Sequence, residues 1–504
     1  MGKTSHNGEC AELFVGLVGA VGTNLGELVG ILRRALSRFG YECEEIRLSQ
    51  FLTDFTQQSS SQDKPSEYAR IDALMTQGDE LRRKLRFPDA LALLSCGKIK
   101  DSRERGTHKR GSIGRRCYVL NSLKRKEEVQ RLRRIYGSAF YVVAAYCPRD
   151  VRQKKLAAWI AEDTPGSKPE DHNEKAERLI SRDEAEEDYE FGQDLRGTFP
   201  LADVFVNASG PDQLKTEMER FIRLVFGHPF ETPTRDEYGM FLATAAALRS
   251  SDLSRQVGAA IASRDGQIVS VGTNEVPKAG GGLYWTGDSN DSRDFKTRVN
   301  SNKRFREDIV SEIVLKLKKA GWLSDPLCRQ SPRDLIAKAV SVLEHTRVMD
   351  IGEFGRTIHA EMAALVDAAR RGVSVQAGTL YSTTFPCHMC AKHIVAAGIS
   401  RVVYINPYPK SLAQELHDDS VAVDSTPVGD SKVNFQPFIG IAPRRYVEVF
   451  TAPQRKGPDG EPAAELASDV GPRYPVLYRS YADTEKEAFQ IVIDALKSAG
   501  LLSL

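Results

Sequence analysis

The sequence predicts an α/β protein of two domains, and three observations carry that expectation. Its 504 residues exceed the roughly 250 to 300 at which a single hydrophobic core stops growing. Near the start, an apolar run passes through a glycine turn into a helical pattern, the opening of a parallel sheet. In the second half, residues 359–405 read as helix, strand, helix and strand.

Taken in order, Leu13 to Gly19 (LFVGLVG) is the first strand, Gly22-Thr23-Asn24 the turn, and Leu25, Leu28, Val29, Leu32 and Leu36 the apolar stripe of a helix with Asn24 as its N-cap. Glu42 to Leu48 reads as a second strand, and shorter ones are expected at Cys117 to Leu120, Ala139 to Tyr146 and Ala202 to Val206. Residues 161–190 are dominated by charge, include Pro165 and Pro169, and read as a mobile insertion. The prolines of Gly227 to Arg235 (GHPFETPTR) mark a join. The expected division is therefore 1–230, 231–452 and an extension from 453 to 504. Beyond the join, a helix near Glu237 to Leu248 precedes a hairpin of Gly258 to Ala262 and Ile268 to Gly272. Helices follow at Ser331 to His345 and, after Pro453 and a Gly- and Pro-rich tail, at Thr484 to Ala499.

Composition narrows the class. Hydrophobic residues form 41% and charged residues 27% of the chain, and no run of about 18 apolar residues is present. The start MGKTSHNGECAELF has no apolar signal core, and Gly2 alone is weak evidence for a lipid anchor. A cytoplasmic location without membrane attachment is expected. Eight scattered cysteines are too few for a disulfide scaffold. With 70 basic and 68 acidic residues, net +2, overall charge does not require a nucleic-acid partner. The stretch from Lys98 to Arg134 holds fourteen Lys or Arg against four acids; it reads as a solvated face in preference to a phosphate-facing surface.

One constellation carries chemistry. His359-Ala360-Glu361 is followed by Pro386-Cys387-His388-Met389-Cys390, the H-x-E and P-C-x-x-C pattern of zinc nucleobase deaminases. An imidazole and two thiolates hold Zn²⁺ and leave its fourth position open, as catalytic zinc requires. Glu361, left out of the ligand set, is the expected catalytic proton carrier. With 23 prolines and eight cysteines, PCxxC arises by chance about 0.006 times per chain. HxE alone is uninformative, since His172-Asn173-Glu174 also fits it without cysteines in reach. A structural zinc site would need a fourth protein ligand, for which His388 and His393 are the candidates.

From Ser254 to Tyr408 the chain resembles the deoxycytidylate deaminase branch of the cytidine deaminase superfamily. The resemblance rests on Ser254 to Ala259 (SRQVGA), Gly272 to Pro277 (GTNEVP), Thr357 to Glu361 (TIHAE), Gly378 to Cys387 (GTLYSTTFPC), Arg401 to Tyr404 (RVVY) and Tyr408. It implies an α/β/α cytidine-deaminase fold, sugar binding by Asn274, and pyrimidine binding by the backbone at Ala360 and the turn from Thr383 to Pro386. The family usually has Asn-Ala soon after its His-Ala-Glu, whereas Met362-Ala363-Ala364 follows here, and the insertion Gly280 to Trp285 is a second departure. Over most of its length the chain resembles the bacterial antiphage dCTP deaminases, with Asp350 to Arg356, Tyr408-Pro409-Lys410-Ser411 and Ala442 to Tyr446 in support. That resemblance implies deamination of dCTP and dCMP, depletion of dCTP during infection, and an N-terminal P-loop-kinase-like parallel-sheet domain. It also makes Lys410, Arg444 and Arg445 candidates for triphosphate contacts, since a substrate with about four negative charges needs cations. Homo-oligomeric assembly is expected. Two rival functions are a polynucleotide cytosine or adenine deaminase, using Lys98 to Arg134 as its binding surface, and a zinc-containing nucleotide sensor without turnover.

At the first strand, Gly16, Gly19, Gly22 and Thr23 occupy a junction where backbone N–H groups cradle phosphates in other folds. The pattern is not an intact G-x-x-x-x-G-K-[ST] loop, because Thr23 stands where the lysine belongs. A second nucleotide at this turn, in a sensing or assembly role, is the expectation; kinase chemistry is not.

Overall fold

The computed structural model describes residues 11–502, apart from 56–64, 106–113, 164–165, 186–190, 299, 345, 409, 425–430, 452–454, 458, 464–469 and 477–479. The opening segment with Gly2, part of the basic run, Pro165, His345, Pro409 and Pro453 lie outside the described residues. The chain forms two compact units. One comprises Met1–Phe241, Ile405–Pro407 and Pro437–Leu504, the other Leu242–Tyr404 and Tyr408–Gln436. Among the described residues no helix is long and apolar enough to cross a membrane.

The strands, in chain order, are β1 (Leu13–Gly19), β2 (Glu42–Arg47), β3 (Arg116–Asn121), β4 (Phe140–Tyr146), β5 (Val204–Asn207), β6 (Gly258–Ala262), β7 (Ile268–Thr273), β8 (Thr379–Thr384), β9 (Arg401–Asn406), β10 (Val421–Val423), β11 (Val433–Pro437) and β12 (Gly440–Ile441). They make two six-stranded sheets, ordered β12-β5-β4-β1-β3-β2 and β10-β11-β9-β8-β6-β7.

In the first unit β1 is buried along its whole length and pairs in parallel with both β3 and β4. An unbroken apolar run suits a central parallel strand covered on both faces. The helix Leu25–Ser37 buries Leu28, Ile31, Leu32 and Leu36, in one core with Leu13, Val15 and Leu17, and each such side chain contributes about 1.5–3 kcal/mol. Asn24 caps the helix as expected, its side chain accepting from Glu27 N–H.

Two expectations are corrected. The charged stretch 161–190 contains the helix Asn173–Ala185, whose Ala176, Leu179 and Ile180 are buried with Leu156, Ala157, Ile160 and Met75. The spacing of three and four residues was present in the sequence but submerged in charge, and burial against a neighbouring helix overrides it. The expected domain limits also move. Residues 437–504 belong to the first unit, because β12 pairs antiparallel with the edge strand β5.

Glu237 secures that return. Fully buried, it accepts from Ile441 N–H at 2.8 Å, from Arg220 through both oxygens at 2.8 Å and from Thr234 N–H at 2.7 Å. Thr234 Oγ1 in turn accepts from Glu237 N–H, a reciprocal cap at the start of the helix Arg235–Ala247.

Removing one partner of a buried ion pair costs about 3–5 kcal/mol. Glu237→Ala is therefore expected to lose about that much in denaturant unfolding of the first unit. Arg38→Ala, which breaks the exposed pair with Glu219, is expected to lose less than about 1 kcal/mol.

Candidate metal centre and active site

The second unit is built on the antiparallel hairpin of β6 and β7, with β8 antiparallel to β6 on its other side. The helix Ala360–Arg370 lies against β7, and Gly272 is where the two backbones meet. A Cβ at Gly272 would stand 2.1 Å from Ala360 O and 2.4 Å from Ala364 N, distances that only glycine permits. Ala360, Ala364 and Ala368 are buried in this helix, which completes a small-residue contact. Gly258 plays the same part on β6, with its Cβ position 1.9 Å from Ala243 O.

This packing places His359 at the N-cap of the helix and Glu361 in its first turn. Cys387 is the N-cap of the next helix, His388–Ala396, and Cys390 lies one turn in. The turn between β8 and that helix is held by Phe385, whose ring meets Tyr404 edge-on at 4.9 Å and lies 5.5 Å from Phe435, and by Ser411 Oγ, which donates to Pro386 O.

The ligand atoms of His359, Cys387 and Cys390 all lie within 4.8 Å of one another. His359 Nδ1 is 3.3 Å from Cys387 Sγ and 3.4 Å from Cys390 Sγ. In tetrahedral zinc with bonds near 2.0 to 2.3 Å, neighbouring donors stand about 3.5 Å apart, so the donor set and its spacing fit that ion. Neither His388 nor His393 joins the cluster among the described residues, so three protein ligands stand together, the number that catalytic zinc takes.

Electrostatics point the same way. The Cys387 thiol is drawn down to about 4, first by its hydrogen bond with Cys390 and then by His359. The Cys390 thiol is pushed up by the same bond and by burial. His359 is raised, chiefly by its hydrogen bond with Cys387. The Cys387 thiolate, with His359 and Cys390 in contact with it, is the arrangement a dication binds while displacing protons.

Glu361 stands outside the ligand cluster and is 4% exposed. Burial raises its carboxyl above the ordinary range, helped by the charge on Cys387. Ser382 Oγ donates to its Oε1 at 3.2 Å, and Cys390 Sγ reaches its Oε2 at 3.5 Å. Ser382 was not singled out in the sequence; the one available signal is a serine in the middle of the buried strand TLYSTT.

The other sequence candidates divide. Ala360 is buried in the helix start. Thr383 Oγ1 accepts from Gly258 N–H at 3.1 Å, tying β8 to β6. Asn274 Oδ1 accepts from Val257 N–H at 2.7 Å and its Nδ2 donates to Arg255 O at 2.8 Å, so it fastens residues 255–257 beside the site. Arg255 lies over the Tyr408 ring at 4.9 Å. Lys410 forms an exposed ion pair with Asp350 at 2.6 Å. In the insertion, Gly280, Gly281 and Gly282 all have positive φ, and Arg249 stacks at 3.5 Å on Trp285, whose ring stays exposed.

Arg444 and Arg445 are corrected. Both lie in the first unit and both bond the buried carboxylate of Asp203; Arg445 also binds Glu448 and Phe140 O. They are occupied as the counter-charges of Asp203. Part of the basic run is engaged internally, with Arg103 on Glu12 and Glu485, Arg131 on Asp89 and Arg133 on Asp203, while Lys98, Arg105, Lys126 and Arg134 are exposed. Among the described residues the run divides between the solvated face that its sequence suggested and half-buried cations, which are stable only when paired.

At the N-terminal turn, Gly16 and Gly19 fall within β1. A Cβ on Gly16 would press Leu123 and Phe140, so this glycine serves packing and is not presented to a ligand. Gly22 has φ +86, and Thr23 is buried beside it.

Residues 233–406 match the family model of the cytidine and deoxycytidylate deaminase zinc-binding region. The matched span includes His359, Glu361, Cys387 and Cys390 and lies mostly in the second unit. The chain is 46% identical over 54 residues to the deoxycytidylate deaminase of Enterobacteria phage T2, covering 11% of this chain and 29% of that protein. It is 36% identical over 86 residues to ComE operon protein 2 of Bacillus subtilis, covering 17% and 46%. The chain thus spans less than half the length of these relatives. The apo crystal structure of dCMP deaminase from cyanophage S-TIM5 aligns at 18% identity and a TM-score of 0.22, covering 41% of this chain and all of that one.

Overpacking against backbone costs about 1–3 kcal/mol and here displaces the deaminase ligands. Gly272→Val is expected to lower both the melting temperature and the zinc bound per chain, whereas Cys387→Ser is expected to lower bound zinc while the first unit keeps its stability. Metal content by atomic absorption beside thermal melts separates the two.

Proposed function

We propose that the second unit hydrolyses the exocyclic amine of deoxycytidine nucleotides, dCTP and dCMP, to give deoxyuridine nucleotides and ammonia, with Zn²⁺ held by His359, Cys387 and Cys390. The observation that carries this reading is a buried carboxylate, Glu361, placed against three ligand atoms yet outside their set. A structural zinc site has no use for such a group. Zinc, when bound, supplies Lewis acidity and an activated water. The chain's own residues do the rest. Ser382 holds Glu361 by Oε1, and once Cys390 is a thiolate its contact with Oε2 carries no proton, so that oxygen is free to move the two protons of the attacking water in turn, the first to the ring nitrogen and the second to the leaving amine. Thr383, Asn274 and the Gly272 contact keep the walls of the site in register around the base.

The similarity to deoxycytidylate deaminases supports a deoxycytidine nucleotide as substrate, and the resemblance to antiphage dCTP deaminases supports dCTP depletion as the biological role. Editing of a polynucleotide is the weaker reading, because Arg103, Lys124, Arg131 and Arg133 of the basic run it would use are engaged in internal ion pairs.

The test is ammonia release and product identity with dCTP, dCMP, CTP and single-stranded DNA, for zinc-loaded protein and for Glu361→Gln. Glu361→Gln is expected to retain zinc and to lose about 10²- to 10⁴-fold in turnover, the range of a positioned proton carrier. Turnover of DNA and of no free nucleotide would overturn the proposed substrate class. Ser382→Ala, which deprives Glu361 of one neutral hydrogen bond worth about 1 kcal/mol, is expected to reduce kcat by about fivefold with KM little changed.

A further inference from the structure

Outside the metal cluster, the first sheet brings two more thiols together. Cys43 on β2 and Cys117 on β3 are direct partners in the parallel register, so their side chains leave the sheet on the same face. That face is covered by the helix Leu25–Ser37: Cys117 is buried in one core with Leu28, Leu32 and Leu36, and Cys43 packs against it. Neighbouring strands lie about 4.8 Å apart, inside the roughly 4.4 to 6.8 Å between Cα atoms that a disulfide spans. Both residues are free thiols. The deaminase chemistry uses neither.

The two sulfurs are not equivalent. Cys117 is fully buried on a strand paired on both sides, and its hydrogen bond with Cys43, together with that burial, pushes its thiol well up. Cys43 is half-buried on the edge strand of the sheet. Its thiol is drawn down, first by the hydrogen bond from Cys117 and then, against its burial, by the charge on Arg33 of the covering helix. The next acids along β2 are engaged elsewhere, Glu44 by Ser102 and Glu45 by Arg47 and Asn121. A partly exposed thiol beside a cation is the reactive kind, whereas one sealed in apolar surroundings stays inert. The strand β2, paired on one side only, is free to shift towards β3 as a bond forms.

We propose that Cys43 and Cys117 form a hydroperoxide-reactive dithiol, in which Cys43 is the attacking sulfur and Cys117 the resolving one. The Cys43 thiolate attacks one oxygen of the hydroperoxide and the O–O bond breaks. Sulfur keeps that oxygen as sulfenic acid, and the other leaves as hydroxide or alkoxide, which takes up the proton given off by the thiol. Cys117 Sγ then attacks Cys43 Sγ, the S–S bond forms, and the hydroxyl leaves as water with the Cys117 proton. Each sulfur gives up one electron and the hydroperoxide accepts both. A dithiol reductant reverses the change by exchange. The bond fastens the edge strand to its neighbour and closes the chain between them, which carries the helices Leu48–Phe55, Glu67–Leu85 and Ala90–Arg105. The inference is independent of the deaminase reading.

Peptide mapping of the full-length, zinc-loaded protein tests it, after brief treatment with hydrogen peroxide, alkylation in denaturant and digestion without reductant. Most of the alkylatable Cys43 and Cys117 is expected to be lost to a peptide pair joined through these two residues, lighter by two hydrogens than its separate parts and absent after dithiothreitol. Cys43→Ser is expected to leave Cys117 alkylatable, and Cys117→Ala to leave Cys43 as a sulfenic acid that dimedone traps. The unaltered protein carries the decision, so a misfolded Cys117→Ala does not. The map assigns oxidation sulfur by sulfur, which keeps Cys387 and Cys390 out of the result. Recovery of both Cys43 and Cys117 in alkylated form after peroxide, or Cys43 carried to sulfinic acid beside an unmodified Cys117, overturns the proposal.

Discussion

The contact between Gly272 of β7 and the first turns of the helix Ala360–Arg370 sets the geometry of the second unit. With Ala360 O and Ala364 N closer to the Gly272 Cβ position than any side chain allows, the helix start is pinned to the sheet by backbone against backbone. His359 and Glu361 are consequently delivered as cap and first turn of a rigid element. Cys387 and Cys390 arrive in the same way on the helix after β8. The candidate site is therefore two helix N-termini brought together beside one sheet, and thiolates at such ends benefit from the helix dipole.

Burial then assigns roles within the constellation. Three donors face each other at ligand spacing, while Glu361 is withdrawn from solvent and held by Ser382. A carboxylate that could ligate is thereby kept out of the ligand set. The neighbouring polar residues are spent on fastening: Thr383 joins β8 to β6, and Asn274 closes the segment 255–257 on the hairpin. Stiff walls of this kind are what a preorganised site requires.

The first unit follows another rule, in which charge is managed by pairing. Glu12, Asp183, Asp203 and Glu237 are all buried, and each meets at least one Arg or Lys. These pairs join residues 59 to 242 apart in the chain or anchor the returning C-terminal segment. They hold Arg103, Lys124 and Arg133 of the basic run in internal pairs, and with them Arg444 and Arg445.

Much of this was readable in advance. The strands β1 to β9 and the helices flanking His359 and Cys390 follow from apolar periodicity and glycine punctuation, and the ligand and proton-carrying residues follow from H-x-E and P-C-x-x-C. These are local patterns: a strand face, a cap or a one-turn spacing is decided by residues two to four positions away. The helix Asn173–Ala185, the return of β12 onto β5, Ser382 as the partner of Glu361 and the pairing of Cys43 with Cys117 were not readable. Each depends on a partner far along the chain, and among 70 basic and 68 acidic residues composition offers no rule for who meets whom. The sequence by itself determined which atoms can hold a metal and move a proton. Only the tertiary structure decided which charges are left to act, because burying an unpaired charge is costly and the fold settles that cost by choosing partners across the whole chain.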